Sequence, residues 1–352
     1  MTVLTVEVLE QVKKEKKLPE WFDQVVGELD GQGNIEHILS HLGDMAAMAY
    51  RTKGKVTKAY GSDIAHSEVL ETHKALIVKI AYVIRWGVEQ DSKGKISKRG
   101  KSGESLIKVD SHLKFVEAVL TAGQGGLEAR RSPMEIFTTN YDTLLEDAMA
   151  LKRVRYCDGF SGGAVGFLDT RLRNEKHGIR AYLTKLHGSI DWQIGPNGHI
   201  HRVRNSDVYP EEGGSVMIYP QATKYVATQR DPFASQFERF RKSISGGGSD
   251  GSTLVICGYG FGDEHVNDEI SHSLSQPENQ TTVIAFSQSA ESVPTEWKKS
   301  SWAERLYMIT EGGVVHGNKA PVHVPGKGKK HNWWTFDGMC EALTDGFVRE
   351  GM

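Results

Sequence analysis

The sequence predicts an α/β protein in which a mostly parallel sheet is covered by helices on both faces and is preceded by a mainly helical module. Over residues 1–125, apolar side chains recur at the three- and four-residue steps of amphipathic helices. Over residues 126–352, short β-branched and aromatic runs alternate with helical runs, which is typical of parallel strands joined by crossover helices. The 352 residues suffice for one large domain or two ordinary ones. We expect the two segments to form one domain together.

The helical module is predicted from its amphipathic stretches. One begins after Asn34, which can cap the first turn, and its apolar residues are Ile35, Ile38, Leu39, Leu42, Met45 and Ala49. A second helix is predicted over Asp63–Trp86 and a third over Ser111–Thr121. The segment Glu89–Gly103 is rich in Lys, Gly and Ser and predicts an exposed, mobile loop.

Strands and helices alternate in the predicted core. The predicted strands are Glu135–Thr139, Ala181–Leu186, Ser215–Tyr219, Thr253–Cys257, Thr281–Phe286 and Leu306–Thr310. The predicted helices are Thr143–Leu151, Pro232–Ile244, Glu264–Leu274, Glu296–Arg305 and Asp337–Arg349. A hairpin is predicted over Trp192–Ile200 because Asn-Gly separates two β-like runs, whereas Gly246–Ser252 and Gly312–Lys330 are predicted loops.

Composition excludes several classes of protein. Lys and Arg total 43 and Asp and Glu total 45, a net charge of −2, so direct nucleic-acid binding through a large basic surface is not expected. The cysteines Cys157, Cys257 and Cys340 are too few and too far apart for a disulfide framework or a four-thiolate zinc site. No apolar run reaches the roughly 20 residues of a membrane span, and Met1–Lys17 lacks the order of a secretory signal. We expect a cytoplasmic protein that does not associate with membranes.

Three polar clusters follow predicted strands, at Thr138–Asp142, Lys185–Ser189 and Cys257–His265. Ligands of open parallel sheets collect beyond the carboxyl ends of the strands, so we expect these clusters to form one site.

The side chains of these clusters suit binding and proton transfer. The Asn140 amide can orient a water or a ribose hydroxyl, Asp142 can accept hydrogen bonds from sugar hydroxyls, and His187 can gain or lose a proton near neutral pH. Gly258 and Gly260 allow a ligand to approach the backbone closely. Simpler interpretations stay open: helix capping by Asn140 and Asp142, a turn or core position for His187, and a tight strand-to-helix turn at the glycines.

At these residues the sequence resembles the SIR2-like family, in particular its bacterial antiphage-defence branch. The similar segments are Phe137–Glu146, Leu186–Ser189 and Ile256–Asp263, and the similarity spans about residues 34–286. The resemblance implies a Rossmann-like NAD site and hydrolysis of NAD to nicotinamide and ADP-ribose without a metal. It also implies that Asn140 positions the attacking water and that His187 assists at the nicotinamide ribose.

The resemblance further implies that Asp142 contacts this ribose and that Gly258–Gly260 line the adenosine side. The implied NAD-binding residues are Thr138, Thr139, Asp142, Gly188, Ser189, Gly258, Tyr259 and Gly260. Similar chains hold the pyrophosphate with a Gly-Ala-Gly turn after their first strand, and no such turn precedes Gly31. Ser161–Gly166 is a candidate replacement, although its composition favours a surface loop.

Partners are also implied by the resemblance. Unregulated NAD hydrolysis is toxic, so we expect control by assembly, with a homo-oligomer and a HerA-type ATPase or an Argonaute as partner. Two other functions stay open. A sensor or scaffold would bind NAD or ADP-ribose without turnover, which the missing glycine turn favours. A nuclease subunit of a DNA-processing assembly is the other, although no Asp and Glu cluster has an obvious two-metal spacing.

Overall fold

The computed structural model describes residues 2–15, 18–29, 35–51, 56–59, 62–121, 132–169, 172, 178–195, 199–204, 215–217, 233–246 and 251–345. The helices are α1 (Thr2–Glu15), α2 (Glu20–Glu28), α3 (Ile35–Arg51), α4 (His66–Trp86), α5 (Asp110–Val116), α6 (Leu144–Leu151), α7 (Phe233–Ile244), α8 (Glu264–Leu274), α9 (Thr295–Lys298) and α10 (Phe336–Asp345). The strands are β1 (Val56–Ala59), β2 (Ser62–Ala65), β3 (Val88–Gln90), β4 (Ile96–Arg99), β5 (Met134–Thr138), β6 (Tyr156–Cys157), β7 (Phe160–Gly162), β8 (Val165–Leu168), β9 (Ala181–Lys185), β10 (Gly188–Ile194), β11 (Ile200–Val203), β12 (Ser215–Met217), β13 (Thr253–Cys257), β14 (Thr282–Phe286), β15 (Leu306–Thr310) and β16 (Gly313–His316).

Two sheets of the described chain contain parallel strands. In one, β5, β9 and β6 lie side by side in parallel; in the other, β13, β14 and β15 are parallel and β16 adds an antiparallel edge. Side chains along a strand alternate between the two faces. Val283 and Ala285 of β14 pack with α7 and α8, whereas Ile284 and Phe286 pack with α10. Helices therefore cover both faces of this sheet, and the predicted Rossmann-like α/β class is confirmed.

The predicted hairpin is present as part of a larger antiparallel sheet. Its strands β10 and β11 pair Trp192 with Arg202 and Ile194 with Ile200. The order of the complete sheet is β12-β10-β11-β8-β7. The predicted turn residues Asn197 and Gly198 lie outside the described residues, as do the cap Asn34 and most of the Gly246–Ser252 loop.

The amino-terminal segment is mainly helical, as predicted. Helices α1 to α4 share one buried core, which includes Val8, Phe22, Leu39 and Leu76. Helix α4 begins at His66 and not at Asp63, because residues 62–65 pair with β1 as a short antiparallel strand. Whether residues 1–125 and 126–352 are the correct subdivision stays a prediction.

The prediction of a mobile loop over Glu89–Gly103 is wrong, because β3 and β4 form an antiparallel hairpin there. The Asp91 carboxylate accepts hydrogen bonds from the backbone N–H groups of Lys93 and Lys95, at 2.9 and 3.0 Å, and so closes the turn. Arg99 of β4 forms ion pairs with two glutamates of α1. Hydrogen bonds within the turn and ion pairs to α1 therefore stabilise a segment that buries little apolar surface.

Two further predictions near the carboxyl end are corrected. The expected helix Glu296–Arg305 is broken into α9 and a 3₁₀ turn. Trp297 and Trp302 are both fully buried with ring centroids 5.5 Å apart, whereas residues five apart on a continuous helix would point about 140° away from each other. The segment Gly312–Lys330, predicted to be a loop, contains the strand β16. The first residue of this strand, Gly313, has φ +121°, and a Cβ there would lie only 2.5 Å from the Val322 carbonyl oxygen, so the position requires glycine.

In the described part of the chain, no helix is both long enough and apolar enough to cross a membrane.

Candidate functional site

Three loops at strand ends come together in the structure. We call them the first loop (Thr138–Asp142, after β5), the second loop (Leu186–Ser189, after β9) and the third loop (Cys257–His265, after β13). Because β5 and β9 are parallel neighbours, the first two loops lie at the same sheet edge. The third loop joins them through a contact between His187 and His265.

Backbone hydrogen bonds hold the first and second loops together. The Leu186 N–H donates to the Thr138 carbonyl at 2.9 Å, and the Ile190 N–H donates to the Tyr141 carbonyl at 3.0 Å. The same Tyr141 oxygen accepts from the Ser189 hydroxyl at 3.2 Å. Between these anchor points lies Asn140, whose side chain is exposed. An exposed amide is therefore held at a defined position beside the second loop.

The other residues of the first loop have identifiable structural roles. The Asn140 N–H donates to the Thr138 hydroxyl at 3.0 Å, which tightens the turn. The Asp142 carboxylate accepts from the Leu144 N–H at 3.0 Å and so closes the turn that leads into α6. Thr139 is half-buried between them. This hydrogen bond gives Asp142 a structural role next to the N-cap residue Thr143, and its contact with a ribose stays a prediction.

His187 lies at the centre of the site. It is 4% exposed, and its ring lies 6.4 Å from the Tyr141 ring. Gly188 follows it with φ +86°, a backbone conformation that glycine adopts without a steric penalty. Glycine at this position lets the chain turn from β9 into β10 while the His187 ring contacts His265 of the third loop.

His265 pairs with His187, and sequence reasoning assigned it no role. The two Nε2 atoms lie 3.2 Å apart and the rings are nearly parallel, at 24°. His265 is the second residue of α8 and is 5% exposed. Since two N–H groups cannot hydrogen-bond to each other, at most one of the facing nitrogens carries a hydrogen. The two facing Nε2 atoms therefore share at most a single hydrogen, which lies between the rings.

Asp263 lies beside this pair. It precedes α8, and its carboxylate and the two imidazoles each offer one possible metal ligand atom, all within 4.8 Å of one another. The Asp263 carbonyl accepts hydrogen bonds from the N–H groups of Val266 and Asn267, both at 3.0 Å. The first turn of the helix thus fixes its backbone.

The rest of the third loop is stiffened by side chains. The Tyr259 hydroxyl lies 3.0 Å from the Asp263 carbonyl oxygen and 3.1 Å from Asn267 Oδ1. Burial, reinforced by the Asp263 charge, raises the pKa of Tyr259, so its hydroxyl stays protonated and can donate. Phe261 has φ +55° and packs edge-on against Trp297, with centroids 5.6 Å apart. Its packing compensates for the strained backbone.

Gly258 and Gly260 leave the surface of the third loop open. Both are exposed, and a Cβ on either would meet no atom within 4 Å. Gly258 also has φ +66°, so the strand-to-helix turn requires glycine there. Gly260 has no such backbone requirement, which leaves close approach of a ligand as one reason for a glycine.

A buried ion pair between Lys185 and Glu146 lies next to the first and second loops. The sequence pattern does not predict it. The Lys185 ammonium lies 3.1 Å from Glu146 Oε1 and also donates to the Asp142 carbonyl. Burial raises the pKa of Glu146, which Lys185 opposes and Asp191 reinforces. Asp191 is 3% exposed, and Arg204 approaches it at 4.0 Å.

The candidate phosphate segment Ser161–Gly166 forms the hairpin of β7 and β8. Gly162 has φ +121°, and a Cβ there would lie 2.6 Å from the Val165 carbonyl oxygen. The tight hairpin turn therefore accounts for Gly162 without a ligand. The described residues before Gly31 are helical in α1 and α2.

Residues 134–306 match the family model of the SIR2-like domain, a range that contains all three loops. Over this range the chain is similar to the SIR2-like domain. No curated protein matches the chain.

Proposed function

We propose, from the SIR2-like match over residues 134–306, that the protein is an NAD hydrolase. It cleaves the bond between nicotinamide and ribose, releases nicotinamide and ADP-ribose, and acts in bacterial antiphage defence by depleting NAD. One observation carries the proposal. Hydrogen bonds from Leu186 and Ile190 hold the loop of the exposed Asn140 amide against the loop of the buried His187 imidazole.

The reaction mainly requires the protein to orient one water molecule and to stabilise the charge that develops on the ribose. The glycosidic bond breaks through an oxocarbenium-like state, nicotinamide leaves, and the oxygen of a water forms the new bond to the ribose. The Asn140 amide orients this water and Asp142 accepts from a ribose hydroxyl. The water's proton passes to the nitrogen of the His187 ring that does not face His265, while the facing nitrogen donates its hydrogen to His265 Nε2, 3.2 Å away. No step requires a metal ion.

The activity is tested by mixing purified protein with NAD and measuring nicotinamide release with and without EDTA. We expect release in both conditions, and we expect His187→Ala to lower it by roughly 10²–10⁴-fold, the usual contribution of a general acid or base. His272→Ala is the matched control, because His272 is exposed on the far turn of α8. Loss of activity in EDTA would overturn the metal-independent mechanism.

A non-catalytic sensor is the second candidate, favoured by the helical character of the described residues before Gly31, where similar chains have a glycine turn. It predicts NAD binding, measured calorimetrically, with no nicotinamide release by wild type in any condition. A nuclease subunit instead predicts metal-dependent DNA cleavage that survives His187→Ala.

Gly260→Ala tests the proposed adenosine side of the site. A Cβ at this position meets no atom of the protein within 4 Å, so the substitution should change the free energy of unfolding by less than about 1 kcal/mol. If NAD lies against the Gly260 backbone, the added methyl group should weaken NAD binding by roughly 10-fold, measured by calorimetry.

Gly163→Ala is the control for this substitution. Gly163 lies in the β7–β8 turn, and a Cβ there also meets nothing within 4 Å. Unchanged NAD affinity in Gly163→Ala, with reduced affinity in Gly260→Ala, is the expected pattern. The reverse pattern would contradict NAD binding against Gly260 and would place NAD against the β7–β8 hairpin.

We further propose that a cytoplasmic homo-oligomer, joined by a HerA-type ATPase or an Argonaute, controls the activity. Hydrolysis of a metabolite that every cell needs must be restrained until a trigger arrives, and a symmetric assembly can provide such control. Native mass measurement with and without each partner tests this. A particle that is monomeric throughout and equally active alone contradicts it.

A further inference from the structure

We propose that His187, His265 and Asp263 form a binding site for a divalent transition-metal ion, with zinc as the best fit, and that the bound ion inhibits the hydrolase. The inhibitory half rests on the function proposed above. The binding half does not, because it follows from the positions of three side chains alone.

The distance between the imidazoles fits zinc. Zinc bonds to histidine nitrogen at about 2.0–2.1 Å, so two nitrogens that bind one ion tetrahedrally lie roughly 3.3 Å apart. The Nε2 atoms of His187 and His265 lie 3.2 Å apart. At that separation the N–Zn–N angle would be about 100–106°, close to the tetrahedral value. The distance between the two nitrogens therefore already suits one ion.

Asp263 supplies the third ligand and the charge. All three ligand atoms lie within 4.8 Å of one another, and the half-buried carboxylate offsets one unit of the ion's charge. Two histidines, one carboxylate and a water complete a four-coordinate zinc site of a familiar type. Imidazole ligands favour zinc, copper and nickel over magnesium and calcium.

The two histidines and the backbone of Asp263 are held in place before any ion binds. His265 lies on the first turn of α8, whose start is fixed by the hydrogen bonds of the Asp263 carbonyl. Tyr259 and Asn267 brace the same turn. His187 is positioned by its turn between β9 and β10. Ligands that are already held in place lose little conformational entropy when the ion arrives.

A bound ion would interfere with the proposed chemistry directly. Coordination needs the lone pair of Nε2 on both rings, so any ring hydrogen must reside on Nδ1. The His187 ring, bound to the ion through Nε2 and carrying its hydrogen on Nδ1, could then neither accept the water's proton nor pass one to His265. We therefore expect zinc to inhibit nicotinamide release.

Binding is tested on the full chain after removal of metals, by titration with Zn²⁺ against a chromophoric chelator and with Co²⁺ by visible absorption. We expect one ion per chain. His265→Gln should weaken zinc affinity by more than about 10-fold, since loss of even an outer-shell partner costs about 10–100-fold. Asp263→Asn should also weaken it, and it keeps a residue that can cap α8.

His272→Gln controls for unspecific binding, because it removes an exposed histidine from the same helix. It should leave zinc affinity unchanged. Far-UV circular dichroism checks that each variant is folded. Affinity that is equal in wild type and His265→Gln, or the absence of binding by wild type, overturns the site.

The inhibitory half is tested separately. Zinc at one equivalent should suppress nicotinamide release by wild type, and EDTA should restore it. Tight zinc binding without inhibition overturns this half alone. Since the titration contains no NAD, a chain that never releases nicotinamide contradicts the proposed hydrolase while the metal site is still decided by the titration.

Discussion

Asn140→Ala is expected to lower nicotinamide release by roughly 10²–10³-fold, the usual cost of removing one positioned hydrogen-bonding group from a reacting centre. The fold should not change. The hydrogen bond that holds this turn uses the Asn140 backbone N–H, which alanine keeps. The side chain is exposed, so its removal leaves no cavity. NAD affinity should fall much less than the rate, because the amide acts on the water and not on the dinucleotide.

The matched control is Asn318→Ala. Asn318, which follows β16, is also exposed, and its side chain donates to the Lys298 carbonyl. This variant should keep wild-type turnover. Nicotinamide release is measured for both variants in parallel with thermal unfolding. If Asn140→Ala and wild type release nicotinamide at the same rate under every activating condition, the hydrolase proposal is wrong.

The parallel strands were predictable because a buried strand is a short, continuous run of apolar and β-branched residues. The run Ala181–Lys185 is an example, because all five of its residues are buried and the predicted strand extends only one residue further, to Leu186. The strands β7 and β8 are only three and four residues long and are rich in glycine, so no periodic signal marks them. Their pairing depends on long-range register, which local patterns do not contain.

For the candidate site, the sequence predicts which loops follow the strands but not the side-chain contacts between those loops. Asn140 and His187 each follow a recognisable strand, and parallel strands bring their carboxyl ends to one edge. The contact between His187 and His265 joins residues 78 positions apart. It depends on how α8 is rotated against the second loop, which no pattern in either segment reports. Sequence alone could only have indicated it through the Asp-x-His start of a helix after a strand.

Lys185→Met is expected to lower the free energy of unfolding by about 3–5 kcal/mol, the usual cost of removing one partner from a buried ion pair. Lys185 and Glu146 have side chains that are 2% and 5% exposed. Without the ammonium, the Glu146 carboxylate stays buried near Asp191 and loses its main opposing charge. Urea unfolding monitored by circular dichroism measures the change.

The loss should depend on pH in a defined direction. Burial already raises the folded-state pKa of Glu146, and Lys185 is the group that lowers it. Its removal raises that pKa further above the unfolded value. A carboxyl with a raised folded pKa binds its proton more tightly when folded, so stability increases as the pH falls through that pKa. Lys185→Met should therefore be less destabilised at mildly acid pH than at pH 8.

The matched control is Lys242→Met, which breaks the pair of Lys242 with Glu238 on the surface of α7. Both side chains are more than half exposed, at 74% and 58%, and such pairs contribute at most about 1 kcal/mol. The double variant Lys185→Met with Glu146→Leu should recover most of the lost stability, because an apolar pair of similar volume removes the uncompensated charge. If the single and double variants unfold at the same urea concentration, packing around Lys185 and not its charge stabilises these loops.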